Sequence, residues 1–252
     1  MLFTEALRRK VLISRRGCIG IVGGAAYILV TVVAGFGPTY YLAGVFPVPL
    51  PSRIIQVHAV VFSAWIVLLA VQTGLVSAHR VALHRTPGLA GFCLAPLVVV
   101  CGLLAMASQL RFRAGRGADM LTFSAVSLAD MCLFGVLAAG AYATRRSDLA
   151  AHKRLILMAT LGLLDAAIHR LHLPIFHHQI EHAFLAVDFL LVLLVAYDLF
   201  SLHRIHRATL RGGLYFVFMQ QLALPLGATP RLARCRPLDP ILKRLMLDVE
   251  TD

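Results

Sequence analysis

Charge is what this chain has least of. Lys, Arg, Asp and Glu make up 14% of its 252 residues, against 59% hydrophobic, and its mean hydropathy is +0.81. That balance excludes an ordinary soluble domain and places the chain in the membrane class. Cysteine is sparse and unpatterned. Cys18, Cys93, Cys101, Cys132 and Cys235 form no CxxC, so a disulfide framework and an iron–sulfur cluster have no support, and the thiols read as small apolar packing residues. No linker rich in Gly, Ser or Pro and no low-complexity block divides the chain. Residues 1–228 therefore read as one membrane helix bundle and 229–252 as a cytoplasmic or interfacial basic tail. No phosphate-cradling glycine loop, dinucleotide fingerprint or nucleophile–base set appears, which leaves hydrolase and kinase readings without a basis.

What is present is a succession of long apolar runs. A spanning helix needs about 20 mostly apolar residues, because each rises about 1.5 Å through a slab about 30 Å thick. Runs near 18–41, 54–78, 89–110, 120–143, 155–173 and 182–202 qualify. A seventh, "LYFVFMQQLALPLGA" (214–228), is short and holds Gln220, Gln221 and Pro225, so spanning, re-entrant and interfacial paths all stay open. The expected fold is all-α: a polytopic transmembrane bundle of six clear spans with the seventh undecided. In the tail, Asp239 before Pro240 reads as a helix start, with Ile241, Leu242, Leu245, Met246 and Val249 on one lipid-facing side.

Basic residues outnumber acidic ones two to one, for a net charge of +12. A nucleic-acid partner would account for that, but the distribution gives another reason. With the N-terminus in the cytoplasm, the connections on that side carry fourteen Lys and Arg and the opposite ones five, the positive-inside bias of an inner-membrane protein. Arg80, Arg85, Lys153 and Arg154 then read as anchors to anionic lipid. "SRRGCIG" (14–20) has the look of a twin-arginine export signal, but the apolar run after it is too long and has no clear cleavage site. Two cytoplasmic loops, "RVALHR" (80–85) and "DLAAHK" (148–153), echo each other in placing a histidine at the membrane edge.

Polar groups inside hydrocarbon cost a few kcal/mol or more, so they face the bundle interior or a wet cavity. In the second span, His58, Trp65, Gln72 and His79 recur every seven residues and fall in one stripe, its ends about 31 Å apart. That stripe is either a functional lining or a packed interior seam. "DAAIHRLHLPIFHHQIEH" (165–182) concentrates five histidines and two acids. Asp165, His169 and His172 would share a helix face, Pro174 would end that helix, and His178 and His182 would follow in the outer loop and sixth span. With Asp130 on the fourth span and Asp188 on the sixth, these groups predict a hydrated cavity opening outward.

Imidazole and carboxylate at this spacing are ligands for a metal ion, and His58, Asp165, His169 and His172 form the expected ligand set, with His178 and His182 in reserve. A b-type haem is the specific version: His58 opposite His169 in the outer leaflet, and His79 or His84 opposite His152 in the inner. Either cofactor implies redox or cofactor chemistry and a redox or membrane-protein partner beside the lipid bilayer. The rival readings are a proton relay through Asp130, Asp165, Asp188 and Asp198, hence proton-coupled transport, and a structural protein whose acids pair with histidines or Arg170. "HHQIEH" (177–182) and "HRVALH" (79–84) resemble histidine boxes of front-end acyl-lipid desaturases. That likeness fails, since Ala183 stands where the last histidine belongs, no middle box exists, and three spans put the boxes on opposite faces.

The stretches "HAVVFSAWIVLLAVQTGLVSAHRVALHRTPGLAGF" (58–92) and "RRSDLAAHKRLILMATLGLLDAAIHR" (145–170) resemble a group of uncharacterised bacterial multi-pass membrane proteins. The resemblance covers about residues 55–202. It implies a bacterial inner-membrane location and no established activity, so it assigns no catalytic residue.

Overall fold

A computed structural model gives the architecture, described for residues 23–43, 45, 51–113, 120–171 and 180–228. The expected positions Cys18, His172, His178 and Cys235, the tail helix and the first half of "HHQIEH" (177–179) lie outside the described residues. The fold is all-α. Helix α1 runs Gly23–Tyr41 and ends in a wider π turn at Gly37–Tyr41. It is followed by α2 (Arg53–Ser77), α3 (Val81–Arg113), α4 (Met120–Thr144), α5 (Leu149–Leu161), the single turn α6 (Asp165–Ile168), α7 (Ile180–Leu202) and α8 (Arg207–Ala228). Among the described residues five helices are long and apolar enough to cross a membrane: Gly23–Tyr41, Arg53–Ser77, Val81–Arg111, Thr122–Thr144 and Glu181–Leu202.

The core lies between α4, α5, α7 and α8, around fully buried Phe134, Met158, Val187 and Phe216. Helices α2 and α3 pack on each other as an antiparallel hairpin at the edge, and α3 also lies against α4. From α2 only Trp65 and Ile66 are buried. Trp65 stacks edge-on against Phe134 at 4.9 Å and donates its indole N–H to Thr160 Oγ1 at 3.2 Å. At this residue the stripe is a packed seam. Close approach elsewhere depends on glycine, as in other membrane bundles. A Cβ on Gly35 would collide with the backbone carbonyl of Ala167, and one on Gly212 with the Met158 side chain.

Three expectations change. The run 155–173 is not one uniform rod: after Leu161 the helix tightens, with Leu163 N–H bonding Thr160 O and Leu164 N–H bonding Leu161 O. These i→i+3 bonds separate α5 from α6 and mark a mid-helix 3₁₀ stretch. Asp165 opens α6, its backbone carbonyl accepting the His169 N–H at 2.8 Å while its carboxylate takes the Ala166 N–H at 2.6 Å. The second change concerns 214–228, which belongs to a regular 22-residue helix, α8, packed on α4 and α5. Its Gln220 is buried in the bundle.

The third change is at the basic face, where the α2–α3, α4–α5 and α7–α8 connections gather. Arg80, Arg85 and Lys153 are exposed there, but Arg154 is 3% exposed and forms a salt bridge with Asp198, so it does not reach for lipid. Asp198 is therefore committed to that cation. His79 leaves the stripe as well: it lies beyond the end of α2 in a left-handed conformation, φ 59°. Arg80 N–H bonds Leu75 O at 2.8 Å and His79 N–H bonds Val76 O at 3.1 Å, the two bonds of a Schellman helix stop.

Candidate functional site

Four polar residues on four elements occupy one layer of the bundle. Asp130 lies fourteen residues before the end of α4 at Thr144, and Asp188 fourteen before the end of α7 at Leu202. Asp165 lies sixteen residues beyond the start of α5 at Leu149, and Gln220 thirteen beyond the start of α8 at Arg207. These helix ends all belong to the basic face, so each group sits about 20–24 Å along its helix from that face. No run of neighbours in sequence could reveal such a layer, because its members are drawn from distant elements.

Within the layer the side chains of Asp130 and Asp165 meet at one small cavity, within electrostatic range of each other. Two carboxylates so placed in a membrane interior do not both ionise, so the pair holds a proton. Asp165 is 4% exposed. Beside the pair is a cavity of about 10 Å³ lined by Asp130, Leu133, Gly162, Asp165, Phe184, Val187, Phe216 and Gln220, roughly the smallest space that holds one water molecule. Gln220 is 6% exposed. Its Oε1 is buried without a hydrogen-bond partner. Asp188 Oδ1 is likewise unpartnered. An orphaned buried oxygen next to a polar cavity in a membrane core is costly, and that cost singles the site out.

Among the described residues no three His, Cys, Asp or Glu side chains come together as a metal ion would require. Asp165 shares its cavity with Asp130. His58 stacks on Phe62 at 4.0 Å and lies within electrostatic range of Arg170, so the end of α2 and the turn after α6 are neighbours. Arg170 itself bonds Ala166 O at 2.6 Å and covers the Phe36 ring. His182 is in the first turn of α7, where the fold subsequently buries Ala183 and Phe184. At the basic face His84 and His152 are within electrostatic range of each other. Each has a protein partner: His152 Nδ1 meets Ala141 O at 2.9 Å, and the Gln72 amide, in the orientation its neighbours favour, bonds His84 and accepts the Gly88 N–H at 3.0 Å.

Gln220 is the functional residue that sequence reasoning passed over. Its signal was there, a glutamine in an apolar stretch, but it counted against the helix instead of towards a site. Comparison with protein families, curated proteins and solved structures finds no match to this chain. The likeness to uncharacterised multi-pass proteins thus rests on its quoted stretches alone.

Proposed function

We propose that this integral membrane protein takes up and releases a proton at the Asp130–Asp165 pair, as the coupling step of ion-driven transport across a bacterial inner membrane. The observation that carries this reading is two carboxyl residues lining one small cavity inside the bundle, an arrangement with no use for structure that an apolar pair would not serve better. Ionisable groups at this depth mark ion pathways in membrane proteins. The tightened stretch between α5 and α6 beside the pair supports the same reading, since interrupted helices flank the binding sites of transporters. In this reading the α2–α3, α4–α5 and α7–α8 connections face the cytoplasm, as the basic bias directs.

The proton resides on one oxygen of the pair and is shared with the facing carboxylate. Asp165 is held by the Ala166 N–H, so Asp130, on the long helix α4, is the partner whose side chain turns with the bundle.

The test uses the full chain in lipid vesicles. Infrared difference spectra taken across a pH titration should contain a protonated-carboxyl C=O band that titrates and that is altered in Asp130→Asn and in Asp165→Asn. An imposed pH gradient should then produce proton flux into wild-type vesicles, reduced about tenfold or more in either variant. Absence of the band in the wild type overturns the reading. So does a Soret band lost with His58→Ala and His169→Ala, which would return the function to haem chemistry.

A further inference from the structure

The lining of the Asp130–Asp165 cavity says more than that a proton sits there. Its polar lining residues are two aspartates and Gln220, whose Oε1 is buried without a hydrogen-bond partner. The remaining wall is Leu133, Phe184, Val187 and Phe216, with Gly162 contributing no side chain. Carboxyl and amide oxygens suit hard cations, and a lining without imidazole or thiolate offers nothing to the softer transition metals that prefer them.

Size and charge narrow the choice. A space of about 10 Å³ admits one body the size of a water molecule. Ca²⁺ takes six to eight oxygen ligands, and Mg²⁺ keeps several waters of its own. The cavity has neither the donors nor the room for them. A small alkali cation needs fewer ligands and gives up its water more readily. If the shared proton leaves as one Na⁺ enters, the net charge of the site does not change, in a medium where an uncompensated change of charge is costly. Gln220 Oε1, unpartnered in the protonated site, is the additional oxygen such an ion would take.

We propose that the cavity between Asp130, Asp165 and Gln220 binds a single small alkali cation, Na⁺ in preference to K⁺, in exchange for one proton of the carboxyl pair. The exchange is one ion for one proton, with no other bond made or broken. This rests on the proton-binding reading above, and it names the second ion of that site. Gln220 supplies the ligand that discriminates between a site for protons alone and a site for both.

The experiment uses the purified full chain in detergent with choline as the reference cation. Adding NaCl to weakly buffered protein at pH 8 should release about one proton per ion bound and raise Tm above its value in choline chloride. The rise should shrink at pH 5, where protons compete, and should be smaller in KCl. Gln220→Leu should lose most of the Na⁺ response. Equal behaviour in NaCl, KCl and choline chloride overturns the cation site. If the carboxyl band titrates normally in that case, proton binding survives, whereas its absence would defeat both. A Na⁺ response undiminished in Gln220→Leu removes Gln220 as a ligand and overturns the proposal as stated. Should that variant not fold, the wild-type comparison of Na⁺ with choline still decides.

Discussion

Arg154 and Asp198, forty-four residues apart in sequence, lock α5 to α7 with both side chains removed from solvent. The guanidinium addresses the carboxylate with Nε as well as Nη2, the Nε distance to Oδ1 being 3.0 Å, and Nη1 bonds Ala150 O at 2.9 Å. The other carboxylate oxygen accepts the His206 N–H at 3.0 Å and the Thr209 hydroxyl, so α8 is tied in as well. Every lone pair the carboxylate presents is used, the condition under which a buried ion pair is tolerated. Removing one partner strands a charge. Arg154→Met and Asp198→Leu should each destabilise by about 3–5 kcal/mol, whereas the double variant should lose less than either alone. Thermal unfolding of the three variants in detergent checks this, and a double variant worse than both singles would refute it.

How this pair escaped the sequence reading is instructive. Arg154 falls in a run of bases at a membrane edge, where lipid anchoring is the default. What decides its fate is that α5 starts at Leu149, which carries position 154 a turn and a half inward and onto the face that meets α7. Hydropathy located the long spans because burial in lipid needs length and apolarity, both of which are written in consecutive residues. Pairing across helices is written nowhere in consecutive residues. So Asp165 was grouped first with the histidines that follow it on the chain, and its relay with Asp130 stood only as the rival reading. The same reason hid α8, whose low hydropathy comes partly from Gln220, a polar side chain turned into the bundle, not towards water or lipid.

Asp148 opens α5 by accepting the Ala151 N–H at 2.9 Å. That bond, with the nearby His206 ring 3.8 Å away, holds its carboxyl below the usual carboxylate range. A depressed value means the capping contribution is fully present above the ordinary aspartate value of about 3.9 and disappears as pH falls through the lower folded value. Amide exchange at the start of α5 should therefore accelerate in that acid window. Asp148→Asn, an equally good cap without a charge, should abolish the pH dependence while keeping the helix start. An unchanged acid response in that variant would contradict the assignment.

Trp65 is the only tryptophan, so its fluorescence reports one bond. Thr160 accepts from its indole and passes its own hydroxyl proton to Ile156 O at 2.9 Å. Thr160→Val keeps the shape but leaves the indole N–H without its acceptor, a loss of about 1–3 kcal/mol, and should shift the emission maximum. Trp65→Phe removes donor and partner need together and should cost less than expected from its lost area alone, because the Phe134 stacking is partly retained. Emission and unfolding midpoints of the two variants, measured side by side, test the bond directly.

His79 separates a structural role from a ligand role. Its left-handed backbone at the end of α2 costs a side-chain-bearing residue about 1 kcal/mol or more, and the position it fills in the helix stop is one glycine favours. If the imidazole does nothing beyond ending α2, His79→Gly should raise stability by up to about 1 kcal/mol and leave proton uptake untouched. An inner-leaflet haem or metal held by His79 makes the opposite forecast, with both stability and cofactor content falling in the variant. Unfolding midpoints and visible spectra of His79→Gly and the wild type, prepared in parallel, tell the two apart. His79 lies beyond the last turn of α2, in a connection exposed at the basic face, and its part in the helix stop makes the first outcome the expected one.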